Sequence, residues 1–426
     1  MANDFSKEER VAFDDVLEAF NDELAMSRLV KIYKTPQTQM ARSGDVIWRP
    51  KPYVMPSFDG LDQSSNFTAR TQLSVPSSID INKSAPFLLS PTELRDQLQE
   101  KRLGEGARQK LASDINRSVL DAVALQGSLF VKRSAASVGF DDVAQVAALL
   151  NETGVPLANR RLCYNTRDYL GAANDLAKAS RSLDNEHSVK ALRESYLGRL
   201  ASLDTYQLDY SSRKVAAAGG GALTLSTLAA GVNVYVPAAR SNAATGQGSN
   251  LDNRFQTVTV SSNASVVAGD FFTIANVFAV HPITKVSTGV LKTFKVVSIP
   301  VIGGTTMVIT PPMITAQGGS IAEVQYQNCV VETASATAAI VFLNTVTAQQ
   351  NHFFVEGCIE ILPGKLEIPT DSGLSVLRGS TDQGIELVMC KQSGIDALNT
   401  KYRFDAFWGV VVLDTEMCGS MMFSQT

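Results

Sequence analysis

Charge is distributed along this chain as though two different proteins had been joined. Between Val215 and Thr345 only nine residues are charged: Arg240, Asp252, Arg254, Asp270, Lys285, Lys292, Lys295, Glu323 and Glu332. The rest of the chain holds the other 71, so charge density drops severalfold inside the segment while Gly, Ala, Ser, Thr and Val rise. Period-two alternation runs through Gln256–Ser261, Lys292–Ile299 and Thr306–Thr310, divided by turns bearing Gly, Ser and Pro. These features predict an all-β barrel or sandwich over 216–340, inserted into an α+β host. Phe353–Leu362, Gly384–Lys391 and Phe404–Leu413 read as strands that return to that host. Insertions of this kind are tolerated where the host's two ends lie close together.

The host begins with helical spacing. Phe13, Val16, Leu17 and Phe20 recur on one face, and the spacing predicts a helix over 5–33. Asp14, Asp15 and Glu18 interleave with them, forming either a solvated acidic face or a docking arm for a basic partner. Seven of the 15 prolines then fall between Pro36 and Pro91, which forbids long helix and implies an extended segment. Within it, Thr68–Val75 and Ser78–Ile81 are expected to pair as a hairpin. A loop of that length is unusual unless it acts outside its own subunit. Helix resumes with a capping-box arrangement of Ser90, Pro91 and Glu93. After an expected break near Gly104 and Gly106, Ala107, Leu111, Ile115, Val119 and Val123 step every four residues to a stop at Gly127. A second helix is expected from Asp141 or Asp142 to Gly154, then a strand at Leu162–Tyr164, a helix near Val189–Leu197 and a strand near Thr205–Tyr210.

The 426 residues carry a formal net charge of −4, with an isoelectric point near 5.6. This disfavours strong nucleic-acid binding, which needs clustered Lys and Arg. The polar, acidic N-terminus has no secretory pattern. No apolar run approaches the roughly 20 residues needed to span a bilayer; the longest, Phe271–Val280, is strand-like. Five scattered cysteines without a CxxC suggest reduced thiols, with neither a disulfide framework nor a zinc site.

Chemistry is hard to find. The three histidines, His187, His281 and His352, show no metal-ligand spacing, and no nucleophile elbow occurs. Gly219-Gly220-Gly221 lacks the Lys-Ser/Thr of a phosphate loop and reads as a flexible entry to the insertion. The paired carboxylates Asp14-Asp15 and Asp141-Asp142 suit helix starts. Trp48 and Trp408 read as core or interface anchors. No catalytic residue, cofactor or metal is expected, and elimination favours a structural role.

Several motifs, taken in order, carry a resemblance. Ile47-Trp48-Arg49-Pro50 precedes the extended segment, and Leu94-Arg95-Asp96 opens the long helical region. Asp252-Asn253-Arg254-Phe255 is followed by Thr257-Val258-Thr259-Val260, and Val308-Ile309-Thr310-Pro311 closes the β region. The chain resembles the major capsid (coat) proteins of Lederbergvirus-type short-tailed phages over nearly its full length. The resemblance implies the tailed-phage capsid fold: an N-terminal arm (1–35), an extended loop and flanks (36–91), a spine helix and peripheral domain (92–154), and an axial domain (155–215). The inserted barrel (216–340) and axial and peripheral return strands (341–426) complete it.

It also implies a homo-oligomeric shell of hexamers and pentamers enclosing double-stranded DNA, assembled in the host bacterial cytoplasm with scaffolding and portal proteins. Contact with the packaged DNA would be weak and non-specific, and no membrane is involved. In the family a basic helix-turn-helix end of the scaffolding protein docks on an acidic arm, which Asp14, Asp15 and Glu18 match. The family's two-fold contact loop corresponds to Pro237–Leu251, where Arg240 is the only charge. Arg240, Asp252, Arg254, Trp48 and Arg49 are therefore the inter-subunit candidates, with Asp252 and Arg254 alternatively a pair inside the barrel. Other readings are a bacterial nanocompartment shell, disfavoured by the insertion, and a carbohydrate-binding or hydrolytic module. The second suffers from an insertion with no Trp and only four acids.

Overall fold

The computed structural model describes residues 5, 7–34, 46–52, 55, 57, 59–64, 66–93, 97–133, 135–178, 197–208, 210–218, 223–228, 233–242, 248–333, 335–368, 373–394 and 398–424. His187, Leu94-Arg95-Asp96, Gly219-Gly220-Gly221 and nearly all of the helix expected near Val189–Leu197 lie outside the described residues. Five helices occur among those described: α1 (Lys7–Glu23), α2 (Gln97–Gln126), α3 (Phe140–Glu152), α4 (Thr166–Lys178) and α5 (Ile321–Tyr326). The chain divides into two compact units. The first comprises Met1–Ile47, Ser77–Val119 and Ile359–Val411; the second comprises Trp48–Pro76, Leu120–Cys358 and Val412–Thr426.

The first unit is built on a six-stranded sheet in the order Lys31–Ile32, Ile359–Pro363, Thr400–Val412, Glu386–Ser393, Ser375–Ser380, with Ile81–Leu89 also pairing to Thr400–Val412. α1 covers one face. Phe13, Val16 and Phe20 are buried there, and the Phe13 ring stacks on Phe404 with centroids 6.5 Å apart. The approach is close enough that a Cβ on Gly379 would meet the ends of the Leu17 and Phe13 side chains, which would have to shift to admit it. On α2, Ala107, Leu111, Ile115 and Val119 are buried at the expected spacing. Trp408 is fully buried and donates its indole N–H to Ser118 Oγ at 2.9 Å, a core anchor with its polar end satisfied.

Three expectations for this part of the chain fail for physical reasons. The first helix stops at Glu23, because Asn116 Nδ2 binds the Glu23 carbonyl and its Oδ1 accepts the Met26 N–H. Chain beyond that point makes a short 3-10 turn and the strand Lys31–Ile32, parallel to Ile359–Pro363. α2 runs through Gly104 and Gly106 without a break. Gly104 is buried, facing Val16 and Phe404 at ordinary contact distance, and packing of the long helix there offsets a propensity cost of about 1 kcal/mol per glycine. The hairpin expected between Thr68–Val75 and Ser78–Ile81 is replaced by two separate pairings. Ser74–Ser77 pairs with Ile47–Pro50, and Ile81–Leu89 runs antiparallel to Thr400–Trp408. The Ser90–Glu93 capping contacts do form, but in a turn before the helix, with Glu93 Oε2 accepting the Ser90 N–H at 2.8 Å.

Two large sheets form the body of the second unit, beside smaller two-stranded pairings. One is mixed, in the order Leu129–Lys132, Cys418–Met422, Ala348–Val355, Arg160–Asn165, Leu203–Leu208, Arg199–Leu200, with Arg213–Lys214 beside Ala348–Val355. α3 and α4 pack here through Val143, Val146, Leu150, Tyr169 and Ala172 against Tyr164 and Phe353. α3 starts one residue before the expected caps, and Asp142 accepts the Val138 N–H at 2.7 Å and meets Arg133 at 2.5 Å. The strand expected over Phe353–Leu362 is instead two strands in different sheets, parted by a 3-10 turn at Glu356–Cys358.

The second sheet runs Thr224–Leu228, Ser335–Phe342, Phe271–Val280, Ser287–Ser298, Thr306–Thr310, Gln256–Thr259. A bridge from Leu225 to Val260 joins its first and last members, closing the sheet into a barrel. Phe272, Phe294, Val296, Ile309, Val258 and Ile340 fill the interior. The entering and leaving chains meet where the Ala217 N–H donates to the Asn344 carbonyl at 2.8 Å.

Candidate functional site

α1 is amphipathic, and its two faces do different things. Its inward acids and amides are used within the first unit: Glu9 accepts from Lys391 at 2.5 Å and from the Tyr402 hydroxyl at 3.0 Å, and Glu23 meets Arg108 at 3.0 Å. Asp14, Asp15 and Glu18 point away from the buried Phe13–Phe20 stripe and are exposed. Asp22 extends the same row by one turn; its carboxylate lies 3.5 Å from Arg28. The three expected acids are thus brought together on one face, with Asp22 as a fourth that the sequence reading did not include.

The expected contact loop is a two-stranded ribbon. Arg240–Asn242 pairs antiparallel with Gly248–Asn250, and Arg240 is exposed on it; 243–247 lie outside the described residues. Asn253 clamps the base, accepting the Ala238 N–H at 3.1 Å and donating to the Ala238 and Leu251 carbonyls at 2.9 Å each. Asp252 and Arg254 pair with each other, Nη2 to Oδ2 at 2.7 Å and Nε to Oδ1 at 3.0 Å. Arg254 Nη1 also donates to the Val412 carbonyl at 2.7 Å, so its donors are engaged inside the subunit. Trp48 and Arg49 are half-buried in the strand Ile47–Pro50.

A charged cluster with no signal in the sequence lies behind that strand. Lys51 Nζ is 3.7 Å from Asp414, Lys292 binds Glu416, and Asn328 Nδ2 donates to Glu416 at 3.3 Å. Burial opposes the Glu416 carboxylate, but Lys292 and Lys51 outweigh it and hold its pKa below the ordinary range. Burial likewise opposes the Lys51 ammonium, and Asp414 and Glu416 outweigh it and raise its pKa. Lys285, donating to the Gln327 carbonyl at 3.1 Å, is lowered to about 8, mainly by burial. These residues are distant in sequence, so only the folded chain shows that they share one site.

Among the described residues, Ser420 Oγ lies 3.2 Å from His352 Nδ1, and both residues are fully buried. Burial, with Lys295 adding to it, pushes His352 down to about 3, so the imidazole is a poor base in a place no substrate reaches. Among the described residues, no group of three or more His, Cys, Asp or Glu could hold a metal ion, and no helix is long and apolar enough to cross a membrane.

The family described as P22 coat protein, gene protein 5, matches residues 1–424. The chain belongs to that family. It is a major capsid protein, a structural and non-enzymatic component of a phage virion whose copies form an icosahedral shell. Membership sets aside the nanocompartment and carbohydrate-binding readings. Among solved structures, the coat chain is similar to one from Mycobacterium phage Che8, at 12% identity over 93% of this chain and 90% of that one, with a TM-score of 0.45. A capsid structure of the cyanophage P-SCSP1u matches at 8% identity, covering 93% and 87%, with a TM-score of 0.44. The CUS-3 coat protein I-domain matches at 34% identity over 29% of this chain and 96% of that one, with a TM-score of 0.22.

Proposed function

We propose that this coat protein closes its shell around an internal scaffolding partner that docks on the outward face of α1. The observation that supports this reading is the exposed acidic row Asp14, Asp15, Glu18 and Asp22 on a helix whose other face is anchored in the first unit. A basic helical surface is the complementary partner. Exposed ion pairs are each worth only about 0–1 kcal/mol and weaken as salt rises. A contact built from several of them holds a scaffold during assembly and releases it before DNA enters. A chain with net charge −4 also avoids trapping DNA by counterion release.

A portal protein at one vertex, the exposed Arg240 ribbon as an inter-subunit contact, and the division into arm, loop, spine, axial and inserted domains belong to the same reading. Asp14→Lys combined with Glu18→Lys tests the docking. The double variant should give soluble, folded subunits that no longer form shells with the partner; an unchanged yield of shells would reject the docking role.

A further inference from the structure

We infer that Glu416 is a positioning residue for shell formation: it keeps the inserted barrel from turning about the point where its chain enters and leaves, and so aims the Arg240 ribbon. The inference rests on the reading of that ribbon as an inter-subunit contact. Both ends of the insertion pass through one place. There Asp270 accepts from Lys214 at 2.8 Å and from Asn344 Nδ2 at 3.0 Å, and Asn344 Oδ1 accepts the Phe271 N–H at 3.1 Å. The Phe271 ring stacks on Phe130 of the mixed sheet, with centroids 4.4 Å apart. A single seat of this kind fixes a position but leaves rotation open. One orientation is held only when a second tie acts some way from the first.

Glu416 supplies that tie. Lys295 pairs in register with Phe271, and Lys292 lies three residues away on the same strand, about 10 Å from the seat. Lys292 binds Glu416, which also accepts from Asn328 Nδ2 at 3.3 Å. Both sides of this contact are held stiffly. Asn328, on the barrel side, donates to the Pro312 carbonyl at 2.9 Å and accepts the Ile314 N–H at 3.1 Å. Glu416 sits in the 3-10 turn Thr415–Met417 and donates its N–H to Asp414 Oδ1 at 3.1 Å. The N–H and hydroxyl of Ser128 both donate to the Thr415 carbonyl, at 3.0 and 2.8 Å, and anchor that turn. Arg254 touches the same return chain at the Val412 carbonyl, but its counter-charge is Asp252 beside it. Lys292, its side chain only 8% exposed, meets its counter-charge across the junction. A charge-assisted hydrogen bond out of water constrains direction as well as distance.

A distance measurement in the full chain tests it. The five native cysteines are buried, so spin labels at Leu157→Cys on the host and Ile302→Cys on the barrel, both exposed positions, report alone. Pulsed electron resonance of soluble subunits should give one narrow distance. Glu416→Ala with Lys292→Met removes both charges and leaves neither buried without its partner. This double variant should broaden the distance distribution about twofold and lower the yield of sedimenting shells about tenfold. Glu416→Gln, which keeps the side chain's shape, should broaden it less, and Lys292→Arg, which keeps the ion pair, should change neither reading. An unbroadened distance in whichever of E416A/K292M and E416Q is soluble would overturn the inference, as would normal shells despite a broadened one. Arg240→Glu leaves the barrel's seat intact and should keep the narrow distance; its effect on shell yield judges the ribbon reading separately.

Discussion

His352 shows how a single buried residue ties stability to pH. Its ring is fully enclosed by the mixed sheet, with Nδ1 on Ser420, and burial together with the nearby Lys295 amine lowers its pKa from 6.5 to about 3. Lys295 is itself buried, and its amine sits 3.9 Å above the Phe271 ring, with Cys418 and Lys214 the other titratable groups acting on it. The unfolded chain binds the histidine proton first as pH falls. Stability from neutral His352 is therefore complete above pH 6.5 and is lost progressively as pH drops from 6.5 through about 3. Between pH 7 and pH 5 the loss is about 2 kcal/mol. His352→Gln, measured by urea unfolding at both values, should remove that portion of the pH dependence. An equally steep fall in the variant would show that the imidazole is not the group responsible.

Among the elements, α2 and the barrel were the most legible in the sequence. Ile115 sits at the centre of a four-residue repeat, and it is completely buried. Ile115→Asp places an unpaired carboxylate there, costing more than about 4 kcal/mol, and should leave insoluble protein. Soluble, assembling variant protein would contradict this packing. The low-charge segment predicted a β region because a closed barrel buries one side of every strand and needs few charges. The hydrogen bond between Ala217 and Asn344 brings the segment's ends together, so we propose that residues 216–345 fold alone. A dispersed amide spectrum from the excised segment is expected, and a random-coil spectrum would refute it.

Other elements were hidden for identifiable reasons. α4 was not anticipated, although Asn165 Oδ1 accepts the Arg167 and Asp168 N–H groups at 3.0 Å each, a capping signal carried by one residue at the end of a strand. Strand Ile81–Leu89 finds its partner more than 300 residues away, which no local pattern encodes. The cluster of Lys51, Lys292, Asp414 and Glu416 likewise gathers residues from three distant segments. The α1 acids, by contrast, were readable because helical periodicity alone places them on one face.

At the scale of the whole molecule, the features divide between those that hold a subunit together and those that face other molecules. Asp252 with Arg254, and Glu9 with Lys391, are engaged within the subunit. The acidic row on α1, Arg240 on its ribbon and Leu61 are exposed, and the first two are the surfaces we propose for other molecules. Many modest interfaces become cooperative when each closes a ring, so assembly should pass sharply from subunits to complete particles. The most direct measurement is sedimentation followed by electron microscopy of the full chain, produced with and without a candidate for the proposed scaffolding partner. Closed shells of uniform size with the partner, and irregular ones without it, are the predicted result. A monomer or small oligomer under every condition would contradict the account.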